Sequence, residues 1–134
     1  MAIKPISNFQ HQLVRVGCAT STSITKGDAM VDNGSGYLTT ASAGGNVDVR
    51  YVAMETVTTT SNGQEVLMCR TDGVTFEADT DAAWAQTDVG TEADLAAAGT
   101  IDPDASTDDI FYIERGVPGQ TKVIGHFTRG VPNS

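Results

Sequence analysis

The sequence has few of the residues that cross-link a chain or carry it into a membrane. Its 134 residues include two cysteines, Cys18 and Cys69, too few for a disulfide scaffold. We expect both to be small buried hydrophobic residues, with a Cys18–Cys69 bridge as the alternative. No apolar run approaches the roughly 20 residues that cross a membrane. Residues 1–13 lack the apolar segment of a signal peptide, so we expect synthesis in the cytoplasm.

Good helix formers are also scarce. Leucine, glutamate, glutamine and lysine together number 17, whereas valine, isoleucine and threonine number 38. Side chains branched at Cβ are stiff about χ1 and suit the pleated surface of a sheet. The composition therefore predicts an all-β protein, and 14 glycines supply the turns that such a fold needs.

Basic residues are few, with eight lysines and arginines against 17 acidic residues and a net charge of −9. This balance excludes a broadly basic nucleic-acid binder, and we expect no direct contact with nucleic acid. The charges are also separated along the chain. Residues 1–27 and 115–134 each carry three basic and no acidic residues, whereas residues 28–114 hold every acid against Arg50 and Arg70. Each charge taken singly is explained by an acidic middle segment that faces solvent. The separation of charges along the chain instead favours a molecule with both basic ends on one surface and an acidic flank facing water.

Turn signals recur about every ten to eighteen residues, including Asn33-Gly34 and Pro118-Gly119. Between them, apolar alternation predicts strands. The predicted strands cover residues 13–18, 29–31, 37–40, 47–58, 65–71, 74–78, 110–115 and 121–128. Gly125, inside the last strand, indicates a bulge or a close approach of another backbone. The one helix candidate, residues 92–98, is at most two turns long.

Two segments depart from this rhythm. Residues 1–12 contain Pro5 and little alternation, which predicts an extended N-terminal arm. Residues 79–109 are rich in alanine, aspartate and threonine and are interpreted as a long irregular acidic loop. We therefore predict one small β-barrel domain, β-tulip or sandwich-like, over residues 13–134, preceded by the arm. The residues expected to face a partner are those of the arm, the tryptophan of the acidic loop and the basic C-terminal end: Ile3, Lys4, Pro5, Ile6, Phe9, Trp84 and Arg129.

Catalytic and metal-binding motifs are absent from the sequence. It contains no nucleophile elbow, phosphate loop, His-Glu-x-x-His or Cys-x-x-Cys, and we expect no enzyme activity and no cofactor or metal. The two histidines, His11 on the surface and His126 on a sheet face, have no carboxylate or thiol at ligand spacing. Residues 102–108 faintly resemble a calcium loop, but the glycine and glutamate that such a loop requires are missing. A turn capped by its own aspartate and serine side chains is the better interpretation. Trp84 is a core residue by default, with an interface anchor as the alternative.

Three stretches carry a resemblance to the head decoration, or cement, proteins of tailed bacteriophages. The first is a Gly-Asp step, a strand, a short turn and a second strand, at residues 25–31 (TKGDAMV) and 36–41 (GYLTTA). The second joins GQEVLM at residues 63–68 to DGVTFEA at residues 72–78. The third comprises DVGT, TID and KVIGHF at residues 88–91, 100–102 and 122–127. The similarity spans roughly residues 25–128 and concerns glycine, turn and strand patterns.

The resemblance implies a small β-barrel without catalytic residues, located on the outside of a virion. It further implies a homotrimer that clamps neighbouring subunits of the major capsid protein, with no membrane partner. The arm and the basic C-terminal end would then contact the capsid or a neighbouring copy. Repetition around the shell would multiply weak contacts through avidity.

Two other functions remain open from the sequence. One is another virion assembly role, in a tail tube, a tail tip or a head-completion ring. The other is a carbohydrate- or calcium-binding module that uses Trp84 as a sugar platform and Asp102, Asp104 and Asp108 as ligands.

Overall fold

Nearly all the regular structure is β, as the composition predicts. The computed structural model describes residues 2–7, 9–42, 48–106 and 109–128. Within these residues two 3-10 turns, Gln10–Gln12 and Gln86–Asp88, accompany the strands. The strands are β1 (Ile3–Pro5), β2 (Leu13–Cys18), β3 (Ser23–Ile24), β4 (Ala29–Asp32), β5 (Leu38–Thr40), β6 (Tyr51–Ala53), β7 (Val57–Thr58), β8 (Gln64–Arg70), β9 (Phe76–Thr80), β10 (Glu92–Ala97), β11 (Thr100–Asp102), β12 (Phe111–Gly116) and β13 (Lys122–Phe127).

The first half of the chain forms a closed five-stranded barrel in the order β2-β5-β4-β6-β8. The pairings are antiparallel except β2 with β5, which run parallel where Cys18 faces Leu38. Alternate residues along these strands point inward, because successive side chains of a strand lie on opposite faces. With Ile24 of β3 they form the smaller of two core clusters, whose other members are Cys18, Met30, Leu38, Ala53, Val66 and Met68. The predicted small barrel is thus confirmed, and it is completed by residue 70.

Strands β1 and β9 to β13 form a six-stranded sheet around the larger core cluster, and β3 and β7 form a separate two-stranded sheet. Because β13 pairs with β9 as well as with β12, strands β9, β11, β10, β12 and β13 form a ring of pairs, and β1 is added beside β9. Three phenylalanines meet edge to face inside it, with the ring centroid of Phe127 5.4 Å from that of Phe76 and 5.1 Å from that of Phe111. Cys69 and Val52, from the barrel, belong to the same cluster, so one core joins the two sheets.

The hairpins signalled in the sequence are present. β4 pairs with β5 across the Asn33-Gly34 turn, and β12 pairs with β13 across the turn that contains Gly119. The single long strand predicted for residues 47–58 is wrong, since only β6 and β7 are strands among its described residues. Between them the Glu55 carboxylate accepts a hydrogen bond from the Leu67 backbone N–H at 2.7 Å. A side chain thereby replaces the backbone acceptor, and β7 leaves the barrel to pair with β3.

The segment expected to be irregular, residues 79–109, contains an antiparallel hairpin of β10 and β11. The helix candidate at residues 92–98 is therefore wrong. Three successive residues of β10, Ala93 to Leu95, are buried, and β10 lies between β11 and β12 in the sheet. A strand buried on both faces shows no alternation, and pairing in the tertiary structure overrides the helix propensity of alanine.

The expected extended arm is extended, but the chain itself holds it. β1 pairs antiparallel with β9, and the Ile3 backbone N–H donates to the carbonyl of Gly27 at 3.1 Å. Gly27 has a φ of +96°, and a Cβ atom there would lie 2.6 Å from the Cβ of Ala2. Only glycine permits both this backbone conformation and this approach. The first strand is thus an integral part of the fold.

Both cysteines are free and buried, so they act as small hydrophobic residues, as expected. They lie in different core clusters. Burial raises the pKa of the Cys69 thiol to about 11 and also raises that of Cys18. Burial thus disfavours the reactive thiolate form of both side chains.

Candidate functional site

An exposed apolar surface lies where β1 leads into β2. Among the described residues, the exposed large hydrophobic side chains are Ile6 and Leu13, with 42% and 37% of their surface accessible. They flank the 3-10 turn Gln10–Gln12, and we call Ile6 and Leu13 the N-terminal apolar surface. Two exposed large apolar side chains in one short segment are candidates for contact with another protein.

The backbone beneath the N-terminal apolar surface is fastened to the loop that precedes β9. The Ile6 N–H donates to the Thr75 carbonyl at 2.9 Å, and the Thr75 N–H donates to Ser7 Oγ at 2.9 Å. The Gln12 side chain donates to the Asp72 carbonyl at 2.6 Å. A partner would therefore meet a segment that is already ordered, which lowers the entropy cost of binding.

The other arm residues expected to face a partner have varied positions. Ile3 is 1% exposed and belongs to the larger core, so its assignment to an interface is corrected. Phe9 is half-buried and packs against the same core. Lys4 is exposed and lies 3.5 Å from a carboxylate oxygen of Glu77. Pro5 is half-buried on this edge strand, and its missing N–H makes the edge a poor template for another strand. Arg129 lies outside the described residues.

Trp84 packs inside the molecule. It is half-buried against the larger core, and its indole N–H donates to the carbonyls of Val117 at 3.2 Å and Gln120 at 2.9 Å. Its ring covers Gly116 so closely that a Cβ atom there would overlap it. Trp84 therefore anchors the turn between β12 and β13, and its contacts support the default assignment to the core.

The charges that are separated in the sequence are paired in space. Three ion pairs show this: Lys4 with Glu77, Arg15 with Glu55 at 3.4 Å, and Lys122 with Asp79 at 2.5 Å. In each pair a basic residue from one end of the chain meets an acid from its middle. The interpretation of a molecule with distinct basic and acidic surfaces is therefore wrong for these three cations, because antiparallel pairing places distant segments side by side.

Asp79 joins the N-terminal strand to β13. Its Oδ2 accepts the Ala2 backbone N–H at 2.9 Å, and its Oδ1 accepts Lys122 Nζ. Burial raises the pKa of Asp79, but the hydrogen bonds from Lys122 and Ala2 and the charge of Lys122 outweigh it and leave this pKa below its ordinary value. The same pairing raises the pKa of Lys122.

Because the pKa of Asp79 is lower in the folded protein, its contribution to the free energy of unfolding depends on pH. The carboxylate stabilises the fold above the unfolded pKa of about 3.9, and this stabilisation is lost as pH falls through the lower folded pKa. We expect Asp79→Asn to reduce the free energy of unfolding at pH 7 and to flatten its decline between about pH 4 and pH 2. Urea unfolding across this range measures both effects, with exposed Asp72→Asn as the control. Parallel curves for the wild type and Asp79→Asn would contradict the assignment.

The aspartates considered as calcium ligands form a capped turn. Asp102 Oδ1 accepts the Asp104 backbone N–H at 3.0 Å, as expected for such a turn, and Asp108 lies outside the described residues. Burial raises the pKa of nearby Asp81, and the charge of Asp102 raises it further. No group of three or more histidine, cysteine or acidic side chains within the described ranges is arranged to hold a metal ion.

The two histidines lie on different elements, His126 in β13 and His11 in the first 3-10 turn. His126 lies on the sheet face, with Nδ1 2.7 Å from a Glu114 carboxylate oxygen and its ring centroid 5.2 Å from that of Tyr112. His11 is exposed in the first 3-10 turn. None of the described helical segments is long and apolar enough to cross a membrane.

A cavity of about 590 Å³ opens at one end of the barrel. Its lining residues are Val16, Met30, Val31, Asp32, Gly36, Leu38, Asp48, Arg50 and Tyr51. Sequence reasoning missed this cavity because it has no motif. The available signal was the alternation in β4, which places Asp32 on the same face as the buried Met30.

The geometry therefore offers two features open to a partner, the N-terminal apolar surface and the cavity at the barrel mouth. Comparison with protein-family models, curated proteins and solved structures finds no match to this chain.

Proposed function

We propose that this protein is a structural virion protein that binds the outside of a phage capsid as a decoration, or cement, protein. Its partner is the major capsid protein, and it self-associates as a homotrimer. It is made in the cytoplasm of the bacterial host and acts without enzymatic chemistry. The observation that carries the proposal is the N-terminal apolar surface, which leaves Ile6 and Leu13 exposed on an ordered backbone.

The binding free energy expected from the N-terminal apolar surface is that of a weak contact that is repeated. Burying the exposed parts of Ile6 and Leu13 contributes on the order of 1 kcal/mol per side chain at about 25 cal/mol per Å². Such a contact is weak for one copy. A trimer that presents three of them to a symmetric shell gains from high effective concentration, because binding of one arm holds the others close to their sites. The proposed capsid attachment therefore requires self-association.

The resemblance in glycine and strand pattern supports the same function.

The test is attachment to particles assembled without this chain. We expect the Ile6→Ser/Leu13→Ser double variant to keep its melting temperature within a few degrees, because both side chains are exposed, and to lose at least about tenfold in affinity for particles. Copies per particle are counted by quantitative mass spectrometry after sedimentation. The temperature at which heated particles release their DNA measures how strongly the bound protein stabilises the capsid.

The control is Thr58→Ser/Thr87→Ser, which trims two exposed side chains elsewhere on the surface. Full occupancy by the Ile6/Leu13 variant, or absence of the wild type from capsids, would overturn the proposal. Sedimentation equilibrium tests the homotrimer. Rings of the isolated protein located at the tail would establish the tail or head-completion role instead.

A further inference from the structure

The cavity at the barrel mouth has an apolar floor. Its accessible part is Val16, which is half-buried and packs against the core inside the barrel, and Met30 and Leu38 lie buried in that core. Tyr51, paired with Met30 across β4 and β6, forms one wall. The volume of about 590 Å³ lies within the range of binding pockets, which often occupy the mouths of β-barrels.

The rim of this cavity carries three charged side chains, Asp32, Asp48 and Arg50. Among the ion pairs of the described residues, none joins these three to each other or to another side chain. Asp32 Oδ2 accepts the Gly34 backbone N–H at 2.8 Å, which aims its carboxylate from the turn that ends β4. Two carboxylates against one guanidinium leave the rim with a net negative charge.

An apolar floor below a net negative rim is complementary to one kind of side chain. Lysine and arginine have an aliphatic stem that packs on apolar surface and a cationic head that stays among polar groups. A stem against the half-buried Val16 and Tyr51 would place the head near Asp32 and Asp48 at the rim. An anionic side chain would meet two like charges there, and a purely apolar one would leave both carboxylates without a new partner.

We propose that the barrel mouth is a receptor for a lysine or arginine side chain presented by a protein partner. Asp32 and Asp48 bind the cation, and the half-buried Val16 and Tyr51 receive the stem. Arg50 repels the cation from its side of the rim and donates to carbonyl groups of the incoming backbone. The inference deepens the proposed function, on which it rests for the partner being a protein.

The experiment is a titration of the full-length, isotope-labelled protein with N-acetyl-lysine N-methylamide, followed by ¹H–¹⁵N chemical shifts. We expect saturable shifts of the Met30, Leu38 and Tyr51 amides. N-acetyl-norleucine N-methylamide, which keeps the aliphatic stem without the ammonium, should bind at least about tenfold more weakly. Asp32→Asn/Asp48→Asn should weaken binding of the lysine probe by a similar factor, because asparagine keeps the hydrogen-bonding shape without the charge.

The matched control is Asp72→Asn/Glu92→Gln, which removes the same charge from exposed positions outside the cavity and should bind as the wild type does. Equal binding of both probes, equal binding by the Asp32/Asp48 variant, or no saturable shift would overturn the assignment. Occupancy on capsids is measured separately. Saturable lysine binding by a protein that never attaches to particles would uphold the receptor site and reject the decoration function.

Discussion

Replacing Gly125 with alanine is expected to destabilise the protein by about 4 kcal/mol, a large part of the roughly 5–15 kcal/mol that stabilises a domain of this size. A Cβ atom at Gly125 would overlap the backbone carbonyl oxygen of Tyr112 and lie 2.9 Å from Cε2 of Phe111. The first neighbour is backbone, which no side-chain rotation relieves. β12 and β13 would have to separate where Gly125 also pairs with Phe76 of β9.

Urea unfolding of purified Gly125→Ala, followed by circular dichroism, measures this loss, and poor recovery of folded protein is part of the expected result. Gly119→Ala is the matched control. Gly119 has a φ of +75° and no atom near its absent Cβ, so alanine there meets only backbone strain of about 1–2 kcal/mol. Similar free energies of unfolding for the two variants would show that the packing around Gly125 is looser than described.

Replacing Ile3 with alanine is expected to reduce the free energy of unfolding by about 3 kcal/mol. Ile3 is fully buried between β9 and the larger core, and removal of its side chain leaves a cavity that the surrounding strands fill only in part. Ile6, three residues later, has the same side chain but is exposed, so Ile6→Ala should change stability by less than about 0.5 kcal/mol.

Denaturant titration of the two variants distinguishes whether β1 is an integral strand of the fold or a free arm. If β1 is integral, the transition midpoint moves for Ile3→Ala alone, at an unchanged slope. An arm ordered only by a partner would give two indistinguishable curves, both equal to that of the wild type. Deletion of residues 1–12 should therefore unfold the protein as well as remove the proposed capsid contact. Point variants at Ile6 and Leu13 are for this reason the better test of function.

The surface position of the arm residues was predicted only in part. Pro5 and the lack of alternation predict an extended arm, yet its residues divide between the core, as Ile3 does, and the exterior, as Ile6 does. Three residues of β1 are too few for a pattern, so only the position of β9 reveals which side is buried. The cavity at the barrel mouth could not be found because its charged residues, Asp32, Asp48 and Arg50, come together only when β4 and β6 pair.

The sequence by itself determined the β class, the hairpins at Asn33-Gly34 and Pro118-Gly119, the burial of both cysteines and the close contact at Gly125. These features depend on side-chain stiffness, turn chemistry and alternation, which act over about ten residues or fewer. Only the tertiary structure decided that the barrel is completed by residue 70, that β1 pairs with β9, and that cations from the chain ends meet acids from its middle. These pairings join residues up to 77 positions apart, as between Ala2 and Asp79. Their choice depends on which apolar faces pack together, a property of the whole core that no local segment contains.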